Sequence, residues 1–256
     1  MRPFIVAALL AALASPGMAQ APQRRESGNL VTENVPETPP EVRESLRRYQ
    51  NARSASFMDW MPDGTMLIAT RFGSTPQLHH VKAPGGDRQQ LTFFDEPIAD
   101  AEARPTPPAQ VIFSRDTGGD EYFQGYAFGL SGPEIQITEP KTRNVSMVFS
   151  PLGDRLAWSR VTPGSGDYDI MVMDSGDIRT RKVALEGKGA IFPIAFDRDA
   201  RRLLLGRTLS STAGQRFLLD LATGRLTELN RSKVEIAYGG GQFTPDGRHV
   251  LFLSDE

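Results

Sequence analysis

The feature that most constrains this chain is a short phrase that it repeats. Phe243-Thr244-Pro245-Asp246-Gly247-Arg248 is followed by the apolar run Val250 to Leu253, and Trp60-Met61-Pro62-Asp63-Gly64-Thr65 by Met66 to Ala69. Phe149-Ser150-Pro151-Leu152-Gly153-Asp154 precedes Leu156-Ala157-Trp158, and a worn copy, Phe196-Asp197-Arg198-Asp199-Ala200, precedes Leu203 to Leu205. Each reads as the aromatic end of one strand, a Pro/Asp/Gly turn and a second strand, which together make a hairpin. Proline presets the first turn position, and glycine tolerates the left-handed position after it. Phe149, Phe196 and Phe243 are spaced by 47 residues, and Trp60 stands 89 residues before Phe149, close to two periods. A period of roughly 40 to 50 residues with several short strands predicts propeller blades.

The expected fold is therefore all-β, a β-propeller of four-stranded blades preceded by a short N-terminal helix. The blades fall at residues 52–94, 95–141, 142–187 and 188–233, and a fifth begins at Val234. The second blade has a degraded first hairpin, because Arg104 to Ala109 is mostly proline. Leu91-Thr92, Ile137-Thr138 and Leu226-Thr227 read as equivalent places in the last strands. Second strands such as Met66-Leu67-Ile68-Ala69 are apolar on both faces, as expected of a sheet sandwiched between two others. The Phe and Trp residues are accordingly expected in the core between blades. About four and a half blades make an incomplete ring, so the chain is expected to be the front part of a longer protein.

Ahead of the blades, Arg2, the apolar stretch Phe4 to Ala14 and the small residues up to Ala19 predict a cleaved signal peptide at 1–19. The mature protein is then periplasmic or secreted, with no membrane segment. Residues 20–50 read as a mobile lead-in without periodicity, closing in a helix. Thr38 is the expected N-cap and Pro39 the first helical residue, with Val42, Leu46 and Tyr49 forming a stripe that packs on the chain beyond the helix. Arg43, Arg47, Arg48 and Arg53 read as a solvated basic face. The partial propeller occupies 51–256.

Composition excludes several kinds of chemistry. The chain of 256 residues has a net charge of −2 with scattered charges, so nucleic acid is not an expected partner. It has no cysteine, which removes disulfides, thiolate metal sites and a Cys nucleophile. The three histidines are His79, His80 and His249, and the adjacent pair, on one strand, points to opposite faces and cannot easily share a metal. No Gly-x-Ser-x-Gly elbow is present. No catalytic, cofactor-binding or metal residue is assigned, and no cofactor is implied. The one acidic stretch of interest is Arg115 to Gln124, at one rim. There Asp120 or Glu121 can hold a substrate ammonium group, or Asp116 and Asp120 can close the loop on backbone amides while Gly118 and Gly119 supply positive φ. The loop role is favoured.

The segments Arg43 to Gln50, Asn51 to Phe57, Trp60 to Gly64, Thr70 to Gly73, Gln77 to His79, Pro84 to Gly86, Gln90 to Phe94 and Arg115 to Gln124, taken in order, resemble the front of the prolyl oligopeptidase family of serine peptidases. The branch most similar is the bacterial dipeptidyl-aminopeptidase/acylaminoacyl-peptidase type, and the resemblance runs from about Pro39 onward. It implies a propeller that restricts access to a separate α/β-hydrolase domain carrying Ser, Asp and His, and short peptides as substrates through that domain. No position here matches that domain's nucleophile, so no catalytic residue is carried over. That branch binds the substrate amine with a pair of propeller glutamates; the pair is not assigned to positions here, so Asp120 and Glu121 carry no role from it, and a homo-oligomer is left open. The turn phrase alone is shared with TolB-like propellers, which gives the alternative of a non-catalytic periplasmic propeller binding a protein partner. A propeller with its own active site, a lyase or glycosidase, would need carboxylates or histidines converging on the central channel.

Overall fold

The structure, a computed structural model, describes residues 23–230 and 234–255. The expected signal peptide lies outside the described residues. Where the lead-in is read from sequence as irregular, the chain forms a hairpin of β1 (Arg24–Ser27) and β2 (Leu30–Glu33). Gly28, at φ 57°, makes the turn. Arg24 spans it to Glu33 at 3.4 Å, and Asn29 N–H reaches Gly118 O at 3.4 Å. Such polar pairing and turn chemistry carry no apolar periodicity, which is why the pattern of side chains does not announce them.

Helix α1 (Pro40–Gln50) starts one residue later than expected. Pro39 is the N-cap and Pro40 the first helical residue, and no side chain caps the end. Thr38 cannot cap because the first helical carbonyl is Pro39 O, accepting from Arg43 N–H at 3.0 Å. The stripe Val42, Leu46 and Tyr49 is not buried by the described residues: its members are 44, 42 and 76% exposed.

Four antiparallel four-stranded sheets come next, each a meander in chain order. The first is β3 (Ala55–Trp60), β4 (Met66–Thr70), β5 (Gln77–Val81) and β6 (Gln89–Gln90). The second is β7 (Asp100–Ala103), β8 (Gln110–Arg115), β9 (Gln124–Gly129) and β10 (Ile135–Gln136). The third is β11 (Arg143–Phe149), β12 (Arg155–Val161), β13 (Asp169–Asp174) and β14 (Asp177–Leu185). The fourth is β15 (Ala190–Phe196), β16 (Arg202–Thr208), β17 (Gly214–Asp220) and β18 (Leu226–Glu228). A last hairpin pairs β19 (Tyr238–Phe243) with β20 (Val250–Ser254). These are propeller blades, at the places where the repeats predict them.

The repeated phrase makes a related turn each time, one residue shorter in the first copy than in the other three. Met61 N–H donates to Thr65 O at 2.8 Å, Ser150 to Arg155 O, Asp197 to Arg202 O and Thr244 to His249 O, all three at 2.9 Å. The left-handed position falls on Gly64, Gly153, Ala200 and Gly247, at φ 81, 68, 52 and 66°. In the second blade Arg104 N–H donates to Gln110 O at 2.8 Å, so its hairpin is lengthened rather than lost. Its aromatic position is taken by Ala103.

Sheets stack face to face through the alternation of strand side chains. Val111 and Phe113 of β8 pack with Leu67 and Leu78 of the first sheet, and Ile112 between them packs with Leu156 and Trp158 of the third. Ala157 of β12 and Ile170 and Val172 of β13 point the other way, to Leu203 and Leu205 of the fourth. The two-sided apolar pattern thus marks burial on both faces. The end sheets differ: Phe57, Trp60 and Phe93 are 54, 57 and 75% exposed, and Leu251 and Leu253 are 54 and 75% exposed. The expectation that the aromatic residues form core between blades holds for Phe113, Phe149, Trp158 and Phe196. It fails for these three, which no neighbouring sheet among the described residues covers.

Candidate binding site in the axial cavity

The first strands of successive sheets, β3, β7, β11 and β15, neighbour one another, and their ends and turns line a cavity of about 660 Å³. The repeat places one residue from each strand at its rim, immediately before the aromatic position: Asp59, Glu102, Val148 and Ala195. In β3, β11 and β15 a bulge precedes this residue, between Phe57 and Asp59, Val145 and Val148, and Pro193 and Ala195. A bulge re-aims the side chains after it.

Asp59 uses both oxygens on backbone: Oδ1 accepts from Trp60 N–H at 2.8 Å and Oδ2 from Ala103 N–H of the next blade at 2.9 Å. Glu102 repeats the second contact one blade on, its Oε1 accepting from Phe149 N–H at 2.9 Å. Two carboxyl groups therefore tie three successive first strands together. Burial pushes the Glu102 carboxyl up to about 8, and the charges of Asp59 and Asp100 add to the rise against the lowering effect of the Phe149 hydrogen bond. Trp60 leans on Phe57 with ring centroids 5.3 Å apart. Pro62, Pro105, Pro151 and Phe196 complete an apolar wall.

The residues singled out from sequence lie elsewhere and are not brought together. Asp116 Oδ2 accepts from Glu121 N–H at 3.0 Å and Asp120 Oδ1 from Tyr122 N–H at 2.9 Å. Gly118, Gly119 and Glu121 all have positive φ, at 62, 77 and 59°. These contacts are those of loop closure. Asp120 does edge an open hollow of about 450 Å³ with Tyr122 and Lys141. His79 Nδ1 pairs with Gln77 O at 2.9 Å and His80 Nε2 with Thr65 Oγ1 at 2.6 Å, in opposite directions, and burial lowers the pKa of His79. His249 is exposed in its turn. Among the described residues no group of three or more His, Asp or Glu side chains is arranged to hold a metal. Sequence reasoning missed Asp59, Trp60 and Glu102 as a group. The signal that finds them is the position before the aromatic of the phrase, once Ala103 is recognised as its second copy.

The chain matches no protein-family profile and no curated protein sequence. Solved structures of similar fold include a prolyl endopeptidase, 12% identical, with a TM-score of 0.64 over 91% of this chain and 41% of that one. TolB from Acinetobacter baumannii is 16% identical, with a TM-score of 0.56 over 77% of this chain and 48% of TolB. Oligogalacturonate lyase from Vibrio parahaemolyticus is 12% identical, with a TM-score of 0.59 over 77% of this chain and 57% of the lyase. The chain thus spans about half the length of these proteins. At such identities the likeness is one of fold, and no helix among the described residues is long and apolar enough to cross a membrane.

Proposed function

We propose that this chain is the substrate-gating propeller portion of an exported serine exopeptidase acting on short peptides, and that it is not catalytic by itself. The observation that carries the reading is the axial cavity, about 660 Å³ in volume and lined by four successive blades. Strand ends and turns of all four blades offer an extended peptide segment contact there. The ordered segments that resemble the prolyl oligopeptidase family, and the likeness to a prolyl endopeptidase over 91% of the chain, support it. In this arrangement acyl transfer belongs to a hydrolase domain carrying the Ser-His-Asp triad, and the propeller's part is selection by size.

The test is binding and turnover on the 256-residue chain. Short peptides are expected to bind, a folded protein containing the same segment is not, and chromogenic dipeptide and acyl-amino-acid substrates are expected to show no turnover. Hydrolysis sensitive to serine inhibitors would overturn the non-catalytic part. A second reading, a TolB-like propeller binding a folded partner, is favoured by the uncovered stripe Val42, Leu46 and Tyr49 of α1. Retention of a folded protein with no affinity for short peptides would select it.

A further inference from the structure

We propose that the axial cavity binds an uncharged, carbonyl-rich extended peptide segment through two side chains of its lining, the Trp60 indole N–H and the carboxyl group of Glu102. This deepens the gating reading and rests on it, since it names what the cavity selects and under which condition. Both side chains line the cavity. Asp59 has spent its two oxygens on Trp60 and Ala103 N–H, and Glu102 has spent Oε1 on Phe149 N–H. The second oxygen of Glu102 and the Trp60 Nε1 make no hydrogen bond with any described residue, and both groups remain in reach of solvent. A protonated carboxyl offers one O–H donor, and a peptide in extended form presents carbonyl acceptors along its length.

Charge around Glu102 is one-sided. Asp59 faces it from β3 and Asp100 from its own strand. The neighbours that β11 and β15 place on the cavity, Val148, Phe149, Ile194 and Ala195, carry no charge. Arg104 instead packs across Gly153 in the adjacent turn. Burial and the two neighbouring carboxylates outweigh the lowering effect of the Phe149 N–H hydrogen bond, so the group keeps its proton through neutral pH and acts as a donor. As ionisation removes the O–H, the site loses a donor and gains a charge that repels peptide carbonyls. The apolar wall of Pro62, Pro105, Pro151 and Phe196 supplies contact without a counter-charge.

Calorimetric titration with an N-acetylated, C-amidated alanine/proline tetrapeptide, which has no titrating group, tests this at pH 6.5 and pH 9.5. The wild-type chain is expected to bind about thirty-fold more weakly at pH 9.5, the protonated fraction left 1.5 units above a value of about 8. Glu102→Gln keeps an acceptor for Phe149 N–H and a donor for the ligand, so its affinity is expected to change less than about two-fold between the two pH values. Trp60→Phe is expected to weaken binding several-fold at both. Wild-type binding that is independent of pH, or that strengthens as pH rises, would overturn the inference and leave the gating reading standing. So would a pH response of Glu102→Gln equal to wild type. No binding of the peptide at either pH would overturn both.

Discussion

At the scale of single residues, Glu102 couples folding to pH. Its carboxyl ionises at an ordinary value of 4.5 when exposed and at about 8 in the fold. Below pH 4.5 both states hold the proton and the contribution of this group is complete. Between these values the unfolded chain releases a proton that the folded one keeps, so stability falls as pH rises, reaching its floor above about pH 8. Glu102→Gln removes that dependence. It is expected to leave the urea midpoint nearly unchanged at pH 4 and to raise stability on the order of 2 to 4 kcal/mol at pH 9. Equal midpoint differences at the two pH values would defeat this assignment. The turn positions give a second, independent test. A Cβ at Gly64 meets nothing within 4 Å, so Gly64→Ala isolates the cost of φ 81° and is expected to destabilise by about 1 kcal/mol. Ala200 bears φ 52° but buries its methyl among Leu203 and Phe196, so in Ala200→Gly strain relief and lost burial oppose and the change stays within about 1 kcal/mol. The turns were legible because Pro, Asp and Gly have fixed backbone roles. Glu102 was not, because Ala103 replaces the aromatic that marks the position and six residues separate Ala103 from the next strand.

At the scale of elements, the outer strand is held by side chains that stand in for ladder partners. Thr92 Oγ1 accepts from Leu78 N–H at 2.9 Å, and Thr138 Oγ1 accepts from Gly125 N–H at 3.0 Å. The fourth sheet does the same with Asn230 Oδ1, which accepts from Arg216 N–H. The true equivalent of Leu91-Thr92 is therefore Leu229-Asn230, where Leu229 N–H donates to Arg216 O as Leu91 N–H does to Leu78 O. Leu226-Thr227, which sequence matching selects, lies three residues too early. An asparagine carbonyl does the work of a threonine hydroxyl, and identity matching sees only the threonine. Thr92→Val keeps shape and leaves Leu78 N–H buried without a partner, at an expected cost of about 1 to 3 kcal/mol. Thr92→Ser should recover most of it. A larger loss for Thr92→Ser than for Thr92→Val in denaturant unfolding would show that packing of the methyl, not the hydrogen bond, secures the strand.

At the scale of the molecule, three apolar cores of the described residues lie between successive pairs of the four sheets. Stability in such a stack is close to a sum over interfaces, so its middle and its ends should differ. Phe113, Leu156, Ala157, Ile170, Leu203 and Leu204 are at most 1% exposed, and all lie in second or third strands of the second to fourth sheets. The β19–β20 hairpin has one covered side, where Gly241 abuts Leu204, and exposes Leu251 and Leu253 on the other. Helix α1 buries no residue at all. The amphipathic pattern of α1 and the two-sided run Val250 to Leu253 are the same signals that elsewhere mark buried surface. Sequence cannot distinguish a covered face from one whose neighbour is not among the described residues. Native-state hydrogen exchange reads this directly. Amides of β12 and β16 are expected to exchange only through opening of the whole stack, while those of α1 and β20 exchange through local opening several kcal/mol lower. Leu203→Ala, which cuts the core between the third and fourth sheets, is expected to cost about 2 to 5 kcal/mol. It should bring β16 exchange down toward that of the terminal hairpin while leaving β8 less affected. Equal loss of protection in β8 and β16 would mean that the four sheets unfold as one unit and that additivity across interfaces fails.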